Sequence, residues 1–505
     1  MAEPNAVSPE LFQQRDLLIS CRNSQGIDVR STPVRITRYT AVLEVYNPHS
    51  ILQLSEVLGD FRIMLGERCV YAGRGVVSNL VNAGVLVLAE VTLDDESWLD
   101  VDIFSPVAQP ERLREEFDAF MVHWSRMQRI GSDFKLAVAD FQMLLAEVRR
   151  WLDQVELGVR SEPTGNRAEI EREVLLGLEG RILPAIDEWA GRFDAAAEKA
   201  DENLRPAYRA YARRQLHPLV MCSPFVYRTY HKPLGYAGDY EMVNMILRDP
   251  HEGATLYAKM VNVVFLRNPP AEAHRNRIKY LLKRLTEETR RVAGEGRRAR
   301  ILNLGCGPAR EVQLFIEQEE LSNQADITLL DFNDETLEYT GGILRELKER
   351  HQREIGLTIE QKSINQLLKE AIRADLGADR LGGYDFIYCA GLFDYVSDRV
   401  CRRLVELFYS MLAPGGTVLV TNVDAAKPFR YSMDYILEWH LICRNRQQMA
   451  ALVPDLEPPP PWHLTADPTQ VNLFLEVHRP GGRSGPPWLA EKGRVELEAP
   501  ATIAS

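Results

Sequence analysis

The stretch Ile301-Leu-Asn-Leu-Gly-Cys-Gly-Pro-Ala-Arg-Glu-Val312 constrains the chain most. A short apolar run enters a Gly-x-Gly turn and a helical pattern follows. A second run, Thr328-Leu-Leu-Asp-Phe-Asn333, reads as another buried strand that ends on an acid, and Asp331 lies 26 residues after Gly305. In a doubly wound sheet this pairing grips a ribose-bearing ligand at the carboxyl edge. In the turn Gly305-Cys306-Gly307, the two glycines let backbone N–H groups approach a ligand where side chains would obstruct it. Asp331 is placed to accept hydrogen bonds from a ribose diol, and Phe332 to stack on an adenine face. These residues predict a nucleoside-type cofactor.

The surrounding pattern predicts the sheet. Strands are expected at 300–304, 326–330, 357–361, 384–390, 416–422 and 471–478, with helices at 309–319, 334–350, 364–374 and 399–412. Such alternation implies a mostly parallel α/β sheet covered on both faces. Nicotinamide sites read G-x-G-x-x-G, and here the third position is Arg310. The third strand ends in Glu360-Gln-Lys-Ser-Ile-Asn365. The fourth, Tyr384-Asp-Phe-Ile-Tyr-Cys-Ala-Gly-Leu-Phe-Asp-Tyr395, opens into a small-residue turn, and Leu412-Ala-Pro-Gly-Gly-Thr-Val-Leu-Val420 leads into a fifth strand. In this order, the set resembles the class I S-adenosylmethionine-dependent methyltransferases, which have a Rossmann-like fold. The resemblance covers about 180 residues. It implies that Gly305, Cys306 and Gly307 cradle the donor and that Asp331 holds its ribose. Ser363 and Ile364 would meet the adenine, and Ala390, Gly391 and Leu392 the methionine part and the substrate.

Two further segments bear on the acceptor. Thr229-Tyr-His-Lys-Pro-Leu-Gly-Tyr-Ala-Gly-Asp-Tyr-Glu-Met-Val-Asn244 interrupts helices with glycines and aromatics, the make-up of a loop that covers a site. Arg430-Tyr-Ser-Met-Asp-Tyr-Ile-Leu-Glu-Trp-His-Leu-Ile-Cys-Arg444 follows the fifth strand. Both resemble elements of a bacterial methyltransferase family identified with the extracellular factor 3-hydroxypalmitic acid methyl ester. That resemblance spans about residues 110–480 and implies methyl transfer to a fatty-acid or other small-molecule carboxylate. Tyr236, Asp239 and His440 are the catalytic candidates, with Asp394 a further possible base; Tyr395, Tyr435 and Trp439 are the acceptor-lining ones. A carboxylate is ionised at neutral pH and needs no base, whereas an amine or hydroxyl acceptor would. Packing of Ile436, Trp439 and Ile442 onto a core is the competing use of the second segment.

The remaining 300 residues divide by period. Residues 1–15 are polar and read as a flexible start. Residues 16–106 carry short strands (Val34–Tyr46, Phe61–Leu65, Cys69–Ser78 and Gly84–Leu93) separated by turns, which suggests a small barrel. That unit resembles a PilZ domain, a module that often binds cyclic di-GMP. Here Arg30, Arg35 and Arg38 miss the R-x-x-x-R register, and Asn79-Leu-Val-Asn-Ala-Gly84 has Val81 in the serine position. The expectation is a module that stabilises or mediates contacts without binding the dinucleotide. From 107 to 292 the period becomes helical, at 113–124, 133–158 and 168–218, as a cap on the domain at 293–482; residues 483–505 read as a disordered tail.

Composition sets the outer bounds. The net charge of −12 argues against a nucleic-acid partner. Lack of an 18-residue apolar run excludes a predicted membrane-spanning helix. Seven dispersed cysteines suit reduced thiols in the cytoplasm and offer no metal-ligand spacing. An enzyme is one reading. A scaffold with an idle methyltransferase fold, or transfer to an amine or protein, is the alternative.

Overall fold

The computed structural model describes residues 17–481 except 38, 46–51, 66–67, 83–86, 95–96, 100–116, 119–120, 122–128, 163–165, 375–382 and 427–429. The expected flexible start, most of the helix expected at 113–124, Arg38, Gly84 and the expected tail lie outside the described residues.

The first unit is a closed barrel. Its strands are β1 (Leu17–Arg22), β2 (Asp28–Ile36), β3 (Thr40–Val45), β4 (Val57–Leu65), β5 (Arg68–Asn82) and β6 (Val87–Leu93), in the order β1-β2-β3-β6-β5-β4. Alternation fills it: Ile19 and Cys21, Ala41 and Leu43, Phe61 and Ile63, and Ala89 and Val91 all point inward. The run expected as one strand, Val34–Tyr46, is two strands. Thr37 turns the chain there, its amide donating to the Thr40 carbonyl at 2.7 Å and its Oγ1 accepting from the Thr40 amide at 3.0 Å. Strand β1 carries no turn signal on its amino-terminal side, and sequence reading left it without bounds.

The helical layer begins with α1 (Ser132–Ser161) and α2 (Arg167–Glu198), followed by α3 (Arg205–Val220), α4 (Pro224–His231), α5 (Tyr240–Leu247) and α6 (Leu256–Leu266). The helix expected over 168–218 is broken at Ala200–Leu204. Asp201 caps a short 3-10 turn there, and Pro206, at the start of α3, supplies no backbone N–H for a continuing helix. The ring of Phe134 lies 5.4 Å from Phe193, 4.6 Å from Tyr208 and 6.1 Å from Tyr435, so the segment after the fifth sheet strand completes this layer's core. The next helix, α7 (Pro269–Ala293), packs Leu281, Leu285 and Val292 against the sheet.

The sheet contains β7 (Ala299–Leu304), β8 (Ala325–Asp331), β9 (Gly356–Gln361), β10 (Tyr384–Cys389), β11 (Leu412–Val423), β12 (Trp462–Ala466) and β13 (Asn472–His478), in the order β12-β13-β11-β10-β7-β8-β9. Side chains of alternate parity feed two cores. Ile301, Ile327, Phe386 and Leu419 face one side, with Leu302, Leu330, Ile387 and Val418 on the other. Strands β13 and β12 are antiparallel additions at one edge. Sequence reading missed β12, a half-exposed edge strand after a proline run. Neighbours β7 and β10 lie where the strand order reverses, which opens a crevice at their carboxyl ends.

The barrel is anchored over that crevice. The Val57 amide donates to the Gly235 carbonyl at 2.5 Å and the Leu54 amide to the Tyr395 carbonyl at 3.3 Å. Ser55 Oγ donates to the His440 carbonyl at 3.0 Å.

Candidate active site

The turn after β7 is built on backbone strain that glycine relieves. Gly305 has φ +68° and Gly307 φ +51°, the left-handed region. The amides of Gly305 and Cys306 converge on the Leu330 carbonyl at 2.8 and 3.2 Å, which locks the turn to the end of β8. No heavy atom lies within 4 Å of where a Gly307 Cβ would stand, so the turn faces open space. Helix α8 (Arg310–Gln318) starts just beyond it.

Asp331 ends β8 and is buried. Its Oδ2 accepts from the Gly307 amide and its Oδ1 from the Asn333 amide, both at 3.1 Å. A carboxylate has about four lone-pair sites, so acceptor capacity remains for a diol. Burial raises its pKa, and the amides of Asn333, Gly307 and Phe332 pull the other way. Phe332, Ile364, Ala390 and Leu392 line the same cavity with Gly305, Cys306, Gly307 and Asp331. Ser363 is turned away from the lining: its Oγ accepts from the Gln366 amide at 3.3 Å, capping α9 (Ile364–Ala374).

The loop at 232–239 covers this crevice. Lys232, at φ +48°, ends α4, and Gly235 and Gly238 turn at φ +84° and +79°. The Tyr236 ring lies 5.0 Å from Phe332, and its hydroxyl is 3.3 Å from Thr336 Oγ1. Burial, with Asp331 nearby, raises the Tyr236 pKa far above neutral, so it is a phenol and not a base. Asp239 does not line the cavity. It caps α5 by accepting from the Met242 amide at 2.8 Å and pairs with Arg228 at 3.0 Å. Its carboxylate holds the loop's shape.

Toward the fourth and fifth strands, Tyr395 and Trp439 line the cavity together, with Trp439 Nε1 donating to the Tyr395 hydroxyl at 2.8 Å. The structure places two other candidates elsewhere. Tyr435 is fully buried in the helical core, with ring contacts to Phe193 and Tyr431. His440 is buried behind the wall with Nδ1 on Asp434, and burial lowers its pKa to about 4. Both follow the packing use of that helical segment, which draws their side chains inward. The possible base Asp394 lines the cavity, but its Oδ1 accepts from the Val423 amide at 2.7 Å.

Two polar lining residues on α7 escaped the sequence reading. Arg277 stands beside Gly391, whose Cβ would lie 3.2 Å from the guanidinium. Its Nη2 is 2.8 Å from His274 Nδ1. Among the described residues no carboxylate lies within 4 Å of Arg277. Burial, then Arg277 and Arg275, hold the His274 imidazole neutral. An arginine can only donate, so Nδ1 accepts and the ring proton sits on Nε2. The signal was present: His274 and Arg277 share the i, i+3, i+4, i+7 stripe with Leu281 and Leu285.

Residues 296–463 match a family model described as a methyltransferase domain, and the carboxy-terminal unit is such a domain. No curated protein matches the chain. Three of the solved structures similar to the chain, all at low level, are these. A possible exported protein from Bordetella parapertussis is 17% identical, covering 51% of this chain and 86% of its own, with a TM-score of 0.38. Magnesium protoporphyrin IX methyltransferase from Synechocystis PCC 6803, with bound S-adenosylhomocysteine, is 10% identical, covering 54% and 99%, at 0.31. The N-methyltransferase NodS from Bradyrhizobium japonicum, with the same ligand, is 14% identical, covering 48% and 98%, at 0.28. Likeness at this level carries no argument about chemistry. Among the described residues no cluster suits a metal ion, and no helix is long and apolar enough to cross a membrane.

Proposed function

We propose that the chain is an S-adenosylmethionine-dependent methyltransferase whose acceptor is a small-molecule carboxylate, a fatty acid being the class its resemblance implies. S-adenosylmethionine is the cofactor of the methyltransferase domain. The fit rests on the open Gly305–Gly307 turn, the buried Asp331 with acceptor capacity left over, and the apolar wall at Phe332 and Ile364. When bound, that cofactor supplies a methyl group already activated on a sulfonium. The protein then has to orient and to exclude water. The loop at 232–239 and the Tyr395–Trp439 pair close the crevice, and fixing two partners can supply effective molarities of about 10⁵–10⁸ M.

The observation that carries the acceptor class is Arg277, a half-buried guanidinium on the cavity whose side-chain hydrogen-bond partner among the described residues is a neutral imidazole. A half-buried cation of this kind is satisfied by a bidentate carboxylate. Base chemistry is poorly supported around it. Tyr236 is held as a phenol, His274 accepts from Arg277, and His440 is behind the wall. An acceptor that arrives ionised needs none of them.

The test is methyl transfer to palmitate and 3-hydroxypalmitate by wild type and Arg277→Met, with S-adenosylhomocysteine calorimetry on both. The expected result is a methyl ester, an acceptor KM raised about tenfold or more in the variant, and nearly unchanged S-adenosylhomocysteine affinity. Loss of that affinity with unchanged acceptor KM would move Arg277 to the donor. Absence of ester with any carboxylic acid would remove the acceptor class.

A further inference from the structure

We infer that the amino-terminal barrel is part of the donor site: Gln25 and Gln53 complete the cavity wall and hydrogen-bond an adenosyl ligand. The inference rests on the donor reading above.

The two glutamines come from separate barrel loops, yet both line the cavity with Tyr236, Asp331 and Ile364. Gln53 is 5% exposed, and among the described residues its side-chain amide makes no hydrogen bond. Gln25 Oε1 is buried without a donor. Buried amide groups without partners are costly and uncommon. The Gln25 oxygen is such a group, and with the Gln53 amide open to the same cavity it indicates a ligand that brings its own polar groups. Of the two molecules proposed to occupy this cavity, the adenosyl donor carries ribose hydroxyls and amines that match an amide. A fatty acid carries a carboxylate, which the reading above gives to Arg277, and at most a hydroxyl on an otherwise apolar chain.

The wall is also built to hold its place. Glu56, fully buried at the start of β4, clips the two loops together. It accepts from Ser24 through both amide and hydroxyl at 2.6 Å and from the Gln53 amide at 2.8 Å. Asn23 Oδ1 accepts from the amides of Gln25 and Ile27 at 3.1 and 2.8 Å, which fixes the first loop. The second loop is tied to the covering loop through Val57–Gly235 and to the fourth-strand turn through Leu54–Tyr395. Ser24 packs on Gly235, where an added Cβ would stand 3.6 Å from the serine Cβ. A module that merely leaned on the domain would not need its polar side chains aimed into the crevice.

The experiment is calorimetry of S-adenosylhomocysteine with the full chain as wild type, Gln53→Met and Gln25→Met, together with hydrogen exchange of the wild type with and without that ligand. Methionine keeps the shape and removes the amide. Gln53→Met is expected to weaken binding about tenfold, and the ligand to slow exchange at residues 23–26 and 53–57. Unchanged affinity in both variants, or ligand protection confined to 299–478, would overturn the inference. Should Gln53→Met fail to fold, Gln25→Met and the wild-type exchange decide. A wild type that binds no S-adenosylhomocysteine removes the donor reading itself, and the barrel's role with it.

Discussion

Asp331 shows how one side chain serves both fold and ligand. Its carboxylate ties the Gly305–Gly307 turn to the end of β8, and the sequence marked it because an acid at a strand tip is unusual. Asp331→Ala removes hydrogen bonds to a charged group, each worth about 1.5–3 kcal/mol, so S-adenosylhomocysteine affinity should fall at least about a hundredfold by calorimetry. Unchanged affinity would contradict the ribose role. The residue also predicts a pH dependence. Burial raises its pKa, a diol donates to the ionised form, and the ligand therefore favours the deprotonated state. Affinity should decline on acidification, starting above the range of an ordinary carboxylate near 3.9. Affinity that holds flat down to that range would mean the ligand does not use this carboxylate. Arg277 was illegible by the same logic: a charged residue in a helix reads as surface unless the helix face is traced against the sheet.

At the level of elements, the strand–helix alternation of the carboxy-terminal unit was readable because buried parallel strands are near-continuous apolar runs. The helical layer was less readable, since its core is finished by Tyr431, Met433 and Tyr435 from a segment far away in sequence. Periodicity alone does not say which face of that segment meets which neighbour. This is why Tyr435 and His440, expected near the acceptor, pack inward while Trp439 reaches the cavity. The covering loop was legible from its glycines. Gly238 sits at φ +79°, and a Cβ there would come 2.9 Å from the Tyr395 hydroxyl. Gly238→Ala should therefore cost about 1–2 kcal/mol from the left-handed backbone alone and shift Tyr395 from its bond with Trp439. Chemical denaturation and methyl-transfer kinetics measure the two effects. A variant with wild-type stability would show that the loop relaxes freely and does not clamp the cavity.

Across the whole molecule, barrel, helical layer and sheet meet at a charge cluster that no local pattern could announce. Glu438, 1% exposed, pairs with Arg74 of β5 at 2.8 Å and with Arg213 of α3. Lys232 is buried beside them, its Nζ donating to the Leu437 carbonyl at 3.4 Å. Two arginines and a lysine thus surround one carboxylate, and Glu438→Gln should destabilise by about 3–5 kcal/mol because it strands the buried arginines. Lys232 relieves part of the excess. Burial, then Arg74 and Arg213, hold its pKa well below the ordinary value. Between the folded and unfolded pKa values the unfolded chain binds a proton that the folded chain does not. The stability this residue withholds is therefore recovered as pH rises toward about 10.4 and lost as pH falls below it. Lys232→Met keeps the apolar stem and removes the charge. In urea denaturation, the variant's stability advantage over wild type should shrink as pH rises from neutral toward about 10. A difference that stays constant with pH would mean that Lys232 is equally protonated in both states, and that the junction of the three units tolerates a third buried positive charge.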